Sequence, residues 1–482
     1  MKLSELESIF KEYGLPDDIS KKVLSAFLKA NELRKEYEEK LDHYKEMERL
    51  INLNPDTGLP VRRYLEKKFS DLKAASDSRG KKLALFLIRL DDKYARIQNN
   101  RDRSRVLLFK TAHRILRVTG GGLYQGDRLD EFFLARHVSD AQEAIKIANE
   151  IVEEVSMPQE PPASDVQFGC YISIVIYPDH GNTFPLLIEF LAMAMADIYS
   201  SARRVLLYED EIGRKHLEED LILDQVKQVI SNGFEEFDMY YQPIVDASYH
   251  ITGCEALIRW NSAAFGNVNP ARFIPLVEQT GDITVIGQWT LYQACKQLKR
   301  WHDDGYSDLF VSVNLSPPQF KLHDLTFRVA GILKSLAIDG RFLKLEVTEG
   351  VLMENPEEAI AKMQELKSLG IKFSIDDFGT GYSSLAYIQR FPFDTVKIDR
   401  SFLENLEVDL SQQSIVRAVI GIARSLNLVS LAEGVESRGQ LDFLINEGCQ
   451  LFQGFYFSKP VSSEKFELLL KKGFSHLKDS GN

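Results

Sequence analysis

Hydrophobic and polar positions recur along this chain with two different periods, and the change of period marks its parts. From about Ile19 to Leu53 there is no Gly or Pro, and Val23, Phe27, Ala30, Tyr37, Leu41, Tyr44 and Ile51 fall on steps of three and four residues. That spacing predicts one long amphipathic helix. Arg34 and Glu48 interrupt its seam, so a helix lying on its own domain and a dimerising coiled coil are equally good readings. The turn-forming run Asn54-Pro55-Asp56-Thr57-Gly58 ends it.

Between Lys82 and about Tyr208 strand-like and helix-like patterns alternate. Leu83 to Leu90 is a near-continuous apolar run, and Cys170 to Tyr177 is rich in Ile, Val and Tyr. An α/β domain is expected here, ending with a helix over Leu186 to Arg204 and a short strand over Val205 to Tyr208. The charged stretch Glu209 to Asp220 then shifts the composition and suggests a boundary.

From Met239 onward eight short strands are predicted: Tyr240 to Val245, Glu255 to Trp260, Phe310 to Leu315, Leu343 to Thr348, Ile371 to Asp376, Thr395 to Ile398, Val429 to Glu433 and Leu451 to Phe457. Helical stretches separate them, which predicts a (β/α)-type barrel. Successive side chains of a strand point to opposite faces, and the split here is sharp. Glu255, Leu257 and Arg259 oppose Ala256, Ile258 and Trp260; Ser312 and Asn314 oppose Val311 and Val313. Lys344, Glu346 and Thr348 oppose Leu345 and Val347, Asp376 shares a face with Lys372 and Ser374, and Lys397 shares one with Thr395 and Asp399. With the apolar faces on outer helices, the polar faces gather Glu, Asn, Asp and Lys inside the barrel, near the strand ends. Burying that much charge without a metal or a substrate is prohibitive.

Composition narrows the classes of function. The chain has 482 residues, 44% hydrophobic and 27% charged, enough for two or three domains with cores of their own. Its formal net charge of -12 argues against nucleic acid and anionic membrane as partners. The four cysteines, Cys170, Cys254, Cys295 and Cys449, show no paired spacing for zinc or redox chemistry and read as reduced thiols. No apolar signal segment or long uncharged run is found, so a cytoplasmic protein without a membrane anchor is expected.

Several carboxylates plus an Asn carbonyl form a hard, oxygen-only ligand set suited to Mg²⁺ or Mn²⁺. The consecutive pair Asp376-Asp377 lets one carboxylate bridge two cations while its neighbour completes the second site, an arrangement suited to in-line attack of water on a phosphodiester. Lys397 would orient or help activate that water. A lone Glu-Ala-Leu or Asp-Asp is most often solvated surface; their joint occurrence at successive strand ends is what carries the reading.

Glu255-Ala256-Leu257 with Ile258-Arg259-Trp260, Asn314-Leu315-Ser316, Glu346-Val347-Thr348-Glu349, Asp376-Asp377-Phe378-Gly379-Thr380-Gly381-Tyr382-Ser383-Ser384, Lys397-Ile398-Asp399 and Ala432-Glu433-Gly434-Val435-Glu436 together resemble the EAL-domain family of cyclic di-GMP phosphodiesterases, over roughly residues 215 to 475. The resemblance implies hydrolysis of cyclic di-GMP to linear pGpG with two Mg²⁺ or Mn²⁺ ions. Carried over by position, it puts Glu255, Asn314, Glu346 and Asp376 on the first metal and Asp376, Asp377 and Glu433 at the second. It makes Lys397, Glu433, Glu255 and Glu349 catalytic, with Glu433 a candidate general base and Glu349 anchoring the loop Phe378 to Ser384. Gln242, Arg259, Gln453 and Glu436 would contact the dinucleotide, Arg259 as a phosphate clamp. The chain departs from the family after Trp260, where Asn261-Ser262-Ala263-Ala264 replaces a His-Pro pair; an effect on loop packing is expected. Replacing Glu255 or Lys397 by alanine is expected to cut turnover by orders of magnitude with folding intact.

Asp56-Thr57-Gly58-Leu59-Pro60-Val61-Arg62-Arg63, Tyr177-Pro178-Asp179-His180-Gly181 and Ala196-Asp197-Ile198-Tyr199 resemble the GGDEF diguanylate cyclase fold, which is nucleotidyl-cyclase-like. Its signature is replaced by Arg128-Leu129-Asp130-Glu131-Phe132, and two large side chains fill space that the glycines leave for a nucleotide. The metal-binding aspartate expected near the end of the first strand is Arg89 or Leu90, and Thr119-Gly120-Gly121-Gly122 stands where the product-inhibition motif would fall. An inactive regulatory or dimerising domain is the expectation. The organisation expected is an N-terminal helical segment over 1–52, a degenerate GGDEF-like α/β domain over 53–212 and an EAL-type (β/α)8 TIM-like barrel over 213–482. No separate sensory module is expected within the first ~52 residues. The expected partners are cyclic di-GMP, a second copy in a homodimer, and a protein docking on the N-terminal helix or the GGDEF-like domain. The alternative from another class is a non-catalytic cyclic di-GMP receptor.

Overall fold

The computed structural model describes residues 16–95, 101–158, 167–199, 201, 203–378 and 389–479. It divides after Leu217 into two compact units, inside the charged stretch where the composition shifts. Among the described residues no helix is long and apolar enough to cross a membrane.

The first unit opens with the helix Asp17–Asn52. Val23, Leu33, Tyr37, Leu41 and Ile51 stay exposed along it. A five-stranded sheet follows, built from β1 (Lys82–Leu90), β2 (Leu123–Gln125), β3 (Glu131–Val138), β4 (Cys170–Tyr177) and β5 (Val205–Leu207) in the order β2-β3-β1-β4-β5. Strand β1 is central and antiparallel to both neighbours. Its apolar run is continuous because both faces are covered. Ala84, Phe86 and Ile88 pack with Leu107, Ile115 and Ile151, while Leu83, Leu85 and Leu87 pack with Leu65, Phe69 and Leu191. Each fully buried side chain of this kind contributes about 1.5–3 kcal/mol.

The second unit contains β6 (Phe237–Asp246), β7 (Ile251–Ser262), β8 (Gly266–Val268), β9 (Phe310–Asn314), β10 (Leu343–Thr348), β11 (Lys372–Phe378), β12 (Thr395–Ile398), β13 (Val429–Ala432), β14 (Leu451–Phe452) and β15 (Val461–Ser462). The sheet runs β15-β6-β14-β13-β12-β11-β10-β9-β7-β8, and the additional pairing of β6 with β7 closes it. Eight strands, β6, β7 and β9 to β14, therefore form a TIM-like barrel. Two features differ from the expected pattern. Strand β6 runs antiparallel to β7 and β14, and β14 stops at Phe452 although the strand-like run continues to Phe457. The segment after Trp260 extends β7 and turns into β8 as a hairpin, with Asn261 Nδ2 donating to Asp238 at 2.9 Å.

The outward residues Val311, Val313, Leu345, Val347, Phe373 and Ile375 pack with Leu298 and Trp301 of the helix Ile283–Asp303 in the main core. Their in-line neighbours, one residue away on each strand, must then face the barrel interior.

Candidate active site

Register brings the polar side chains to one level. Gln242 lies opposite Glu255, Asn314 opposite Glu346, and Thr348 opposite Asp376. Between β11 and β12 the register shifts between Ile375 and Phe378, and the irregularity falls on Asp376-Asp377, where a bulge re-aims side chains. The Asp377 side chain and residues 379–384 lie outside the described residues.

Lys397 sits at the centre, 1% exposed. Its ammonium pairs with Glu346, with Asp376 Oδ1 at 3.0 Å and with Glu433 Oε1 at 2.6 Å. Burial opposes its charge, but Glu346, Glu433, Glu255 and Asp376 outweigh it and hold its pKa well above the ordinary lysine value. Burial pushes Glu346 and Glu433 the other way for carboxylates, above their usual range, and Lys397 only partly offsets this.

Glu255 is fixed from two sides. Asn314 Nδ2 donates to Oε1 at 2.7 Å and Gln453 Nε2 to Oε2 at 2.6 Å. Gln453 Nε2 also donates to Gln242 Oε1 at 2.9 Å, and Gln242 Nε2 reaches the Ser458 carbonyl at 3.2 Å. Among the described residues, the side-chain amide oxygen of Gln453, Oε1, is buried without a hydrogen-bond partner. A buried acceptor left open in this way marks a place for a donor that the protein does not supply.

Glu255, Glu346 and Glu433 present oxygens all within 4.8 Å of one another. With Asp376 beside them, four carboxylates share one ammonium. The donor set is hard oxygen, buried at Glu255 and Glu346 and half-buried at Asp376 and Glu433, and short of positive charge, and so fits a hard divalent cation. A cavity of about 290 Å³ opens beside the cluster, walled by Asn314, Glu346, Thr348, Arg259, Glu278 and Ser316. Arg259 is half-buried there, donates to the Ile258 carbonyl at 2.8 Å and lies over the Tyr240 ring at 5.7 Å.

The structure thus brings together Gln242, Glu255, Asn314, Glu346, Asp376, Lys397, Glu433 and Gln453, with Arg259 on the adjoining wall. Glu349 is buried at the start of the helix Glu349–Glu354. Glu436 is exposed, and its backbone N–H bonds to Gln440 Oε1 at 2.7 Å. Sequence reasoning gave no role to Ser312, whose hydroxyl donates to Glu346, or to Glu278, which burial pushes above the ordinary carboxylate range. Ser312 carried a signal, since it shares a strand face with Asn314; Glu278 lies on a helix and carried none.

In the first unit, Arg89 and Glu131 are direct partners across β1 and β3. Arg89 Nε donates to Glu131 Oε2 at 2.9 Å, and Glu131 is 5% exposed. A guanidinium therefore neutralises this carboxylate. Arg128 similarly grips Asp130 at 3.0 and 3.1 Å.

Residues 224–460 match the EAL domain, and the chain belongs to the EAL-domain family. It is 35% identical over 338 residues to the bifunctional diguanylate cyclase/cyclic di-GMP phosphodiesterase MucR of Pseudomonas aeruginosa, covering 70% of this chain and 49% of that protein. It is 30% identical over 441 residues to the cyclic di-GMP phosphodiesterase NbdA of the same organism, covering 89% of this chain and 55% of that one. The chain thus spans about half the length of these curated relatives. Among solved structures, the cAMP-bound form of the EAL enzyme Bd1971 is 31% identical with a TM-score of 0.51, covering 63% of this chain and 81% of that one.

Proposed function

We propose that this chain is a metal-dependent phosphodiesterase that hydrolyses cyclic di-GMP to linear pGpG. The observation that carries the reading is the set of four carboxylates, two buried and two half-buried, around the buried Lys397, in a chain of the EAL family. The names of MucR and NbdA support the substrate.

Glu255, Asn314, Glu346 and Asp376 would hold one cation, and Asp376, Asp377 and Glu433 would serve a second. When bound, the two cations supply Lewis acidity and counter-charge for a phosphodiester. Arg259 clamps a phosphate of the dinucleotide, and Gln242, Gln453 and Glu436 contact the remainder. The unpartnered Gln453 Oε1 accepts from the ligand. Water adds to phosphorus, the P–O3′ bond breaks, and the phosphate stays on the 5′ oxygen. Glu433 takes the water proton and later releases it to solvent, Lys397 holds the water and its neighbouring carboxylates in place, and the departing O3′ takes a proton from solvent water to become a hydroxyl.

Residues 53–212 form a degenerate GGDEF domain without cyclase activity. Arg89 supports this, because a guanidinium faces Glu131 where the cyclase fold needs a second carboxylate for metal. The apolar seam left exposed on Asp17–Asn52 supports homodimerisation through that helix, with a protein partner there or on the degenerate domain as a further role. Chromatography of products from cyclic di-GMP with Mg²⁺ or Mn²⁺ tests the activity. Metal-dependent pGpG is the expected result; binding without turnover would make the chain a receptor.

A further inference from the structure

A second cavity in the barrel unit, of about 340 Å³, lies outside the site described above. One wall is a single face of the helix Ile283–Asp303, which presents Trp289, Gln293, Lys296, Gln297 and Arg300 at three- and four-residue steps. The opposite walls are β6, through Phe237 to Tyr241, and the start of the helix Ser463–Lys472.

Three of these groups lack partners. Gln297 is 8% exposed and lines the cavity, and among the described residues its amide has no hydrogen-bond partner. Lys296 and Arg300, one turn apart, make no ion pair among the described residues. The nearby acids do not serve them. Asp238 is taken by Asn261 at 2.9 Å. Glu464 accepts from the Ser463 hydroxyl at 3.2 Å and is held below the usual carboxylate range, chiefly by the Ser462 hydroxyl. The Gln297 amide is thus left to bond within the cavity, and Lys296 and Arg300, one turn apart and outside ion pairs among the described residues, can both reach a phosphate oxygen there.

The cavity is at the lower end of the roughly 300–1,000 Å³ range of small-molecule pockets, which gives room for one nucleotide. Tyr240 and Trp289 supply aromatic surface, Gln293 and Gln297 can both donate to and accept from a base edge, and Lys296 and Arg300 suit a phosphate. We propose that this cavity binds a nucleoside monophosphate, with the phosphate on Lys296 and Arg300 and the base against Gln293 and Gln297. Its wall residue Tyr240 also contacts Arg259 of the barrel-mouth cavity, so the two cavities are neighbours through one pair of side chains.

The test is calorimetric titration of the full chain with adenosine and guanosine monophosphate and with inorganic phosphate, all in chelator. Chelation removes the cation-dependent site from the readout, so the result stands whether or not the phosphodiesterase reading does. Saturable binding of at least one nucleotide is expected, with phosphate about tenfold or more weaker because it forgoes the amide and aromatic contacts. Lys296→Glu with Arg300→Glu should weaken nucleotide binding about a hundredfold, and Gln297→Leu about tenfold with an unchanged melting temperature. No saturable nucleotide binding, equal affinity for phosphate, or nucleotide binding unmoved by the charge reversals would each overturn the proposal.

Discussion

Replacing Lys397 by Met keeps most of the side-chain volume and removes the one positive charge at the centre of the carboxylate cluster. The sequence alone suggests that such a change spares folding; the structure argues otherwise. Lys397 is 1% exposed and pairs with Glu346, Asp376 and Glu433, and removing one partner of a buried charge set costs about 3–5 kcal/mol. For a unit of this size that is a drop of roughly 6–10 °C in the melting temperature of its transition. The loss should depend on pH. Burial already raises Glu346 and Glu433 in the native state, and losing Lys397 raises them further. A carboxyl with a raised folded-state pKa contributes stability below its unfolded pKa and loses it as pH rises through the folded one. The deficit of Lys397→Met relative to the wild type should therefore be largest at pH 8 and shrink toward pH 5. Mn²⁺ should restore much of it by supplying counter-charge. Urea or thermal unfolding in chelator at the two pH values, repeated with Mn²⁺, reads all three effects. A variant as stable as the wild type at pH 8 in chelator would refute the reasoning.

Lys344 is 7% exposed, lies over the Phe310 ring at 3.7 Å, and is lowered from 10.5 to about 8, chiefly by burial. Its charged form therefore costs the fold about 3 kcal/mol below pH 8, and stability rises with pH from there to 10.5 because the unfolded chain holds the proton longer. Lys344→Met should be more stable than the wild type at pH 7 by up to that amount, with the difference vanishing by about pH 10.5; a less stable variant in urea unfolding at pH 7 would contradict this. Glu255→Ala should lower turnover by about two orders of magnitude or more, as seen in initial rates at saturating Mn²⁺, with near-normal rates removing its assignment. Arg89→Ala leaves Glu131 buried without its counter-ion and should destabilise the first unit by about 3 kcal/mol; an unchanged melting profile would show that the pair is dispensable.

The eight barrel strands could be read from alternation because each buries one apolar face; β10 and β12 appear with their expected ends. Strand direction could not be read, since alternation looks the same from either end, and β6 is antiparallel. The run Leu451 to Phe457 resembles a strand throughout, but the chain departs at Gly454, where any Cβ would overlap the Val435 backbone. Gln453 and Tyr456 instead bond to the Ala432 and Val435 segment. Most of the candidate site's clustering was legible because its residues sit on or just past successive strands at one height. The Arg89–Glu131 pair depends on which residues face one another across β1 and β3, and the amides gripping Glu255 come from segments far apart in sequence. The cavity beneath Lys296 is formed by a helix face whose polar residues read as ordinary surface.

The most direct test of the central claim is the initial rate of pGpG formation from cyclic di-GMP as Mn²⁺ is titrated into chelated, metal-free protein. The account predicts no product at zero metal, a rate that rises and saturates with Mn²⁺, and no such rise in Glu255→Ala. Product formed at the same rate in excess chelator, or none at any Mn²⁺ or Mg²⁺ concentration in a folded protein that still binds cyclic di-GMP, would contradict it.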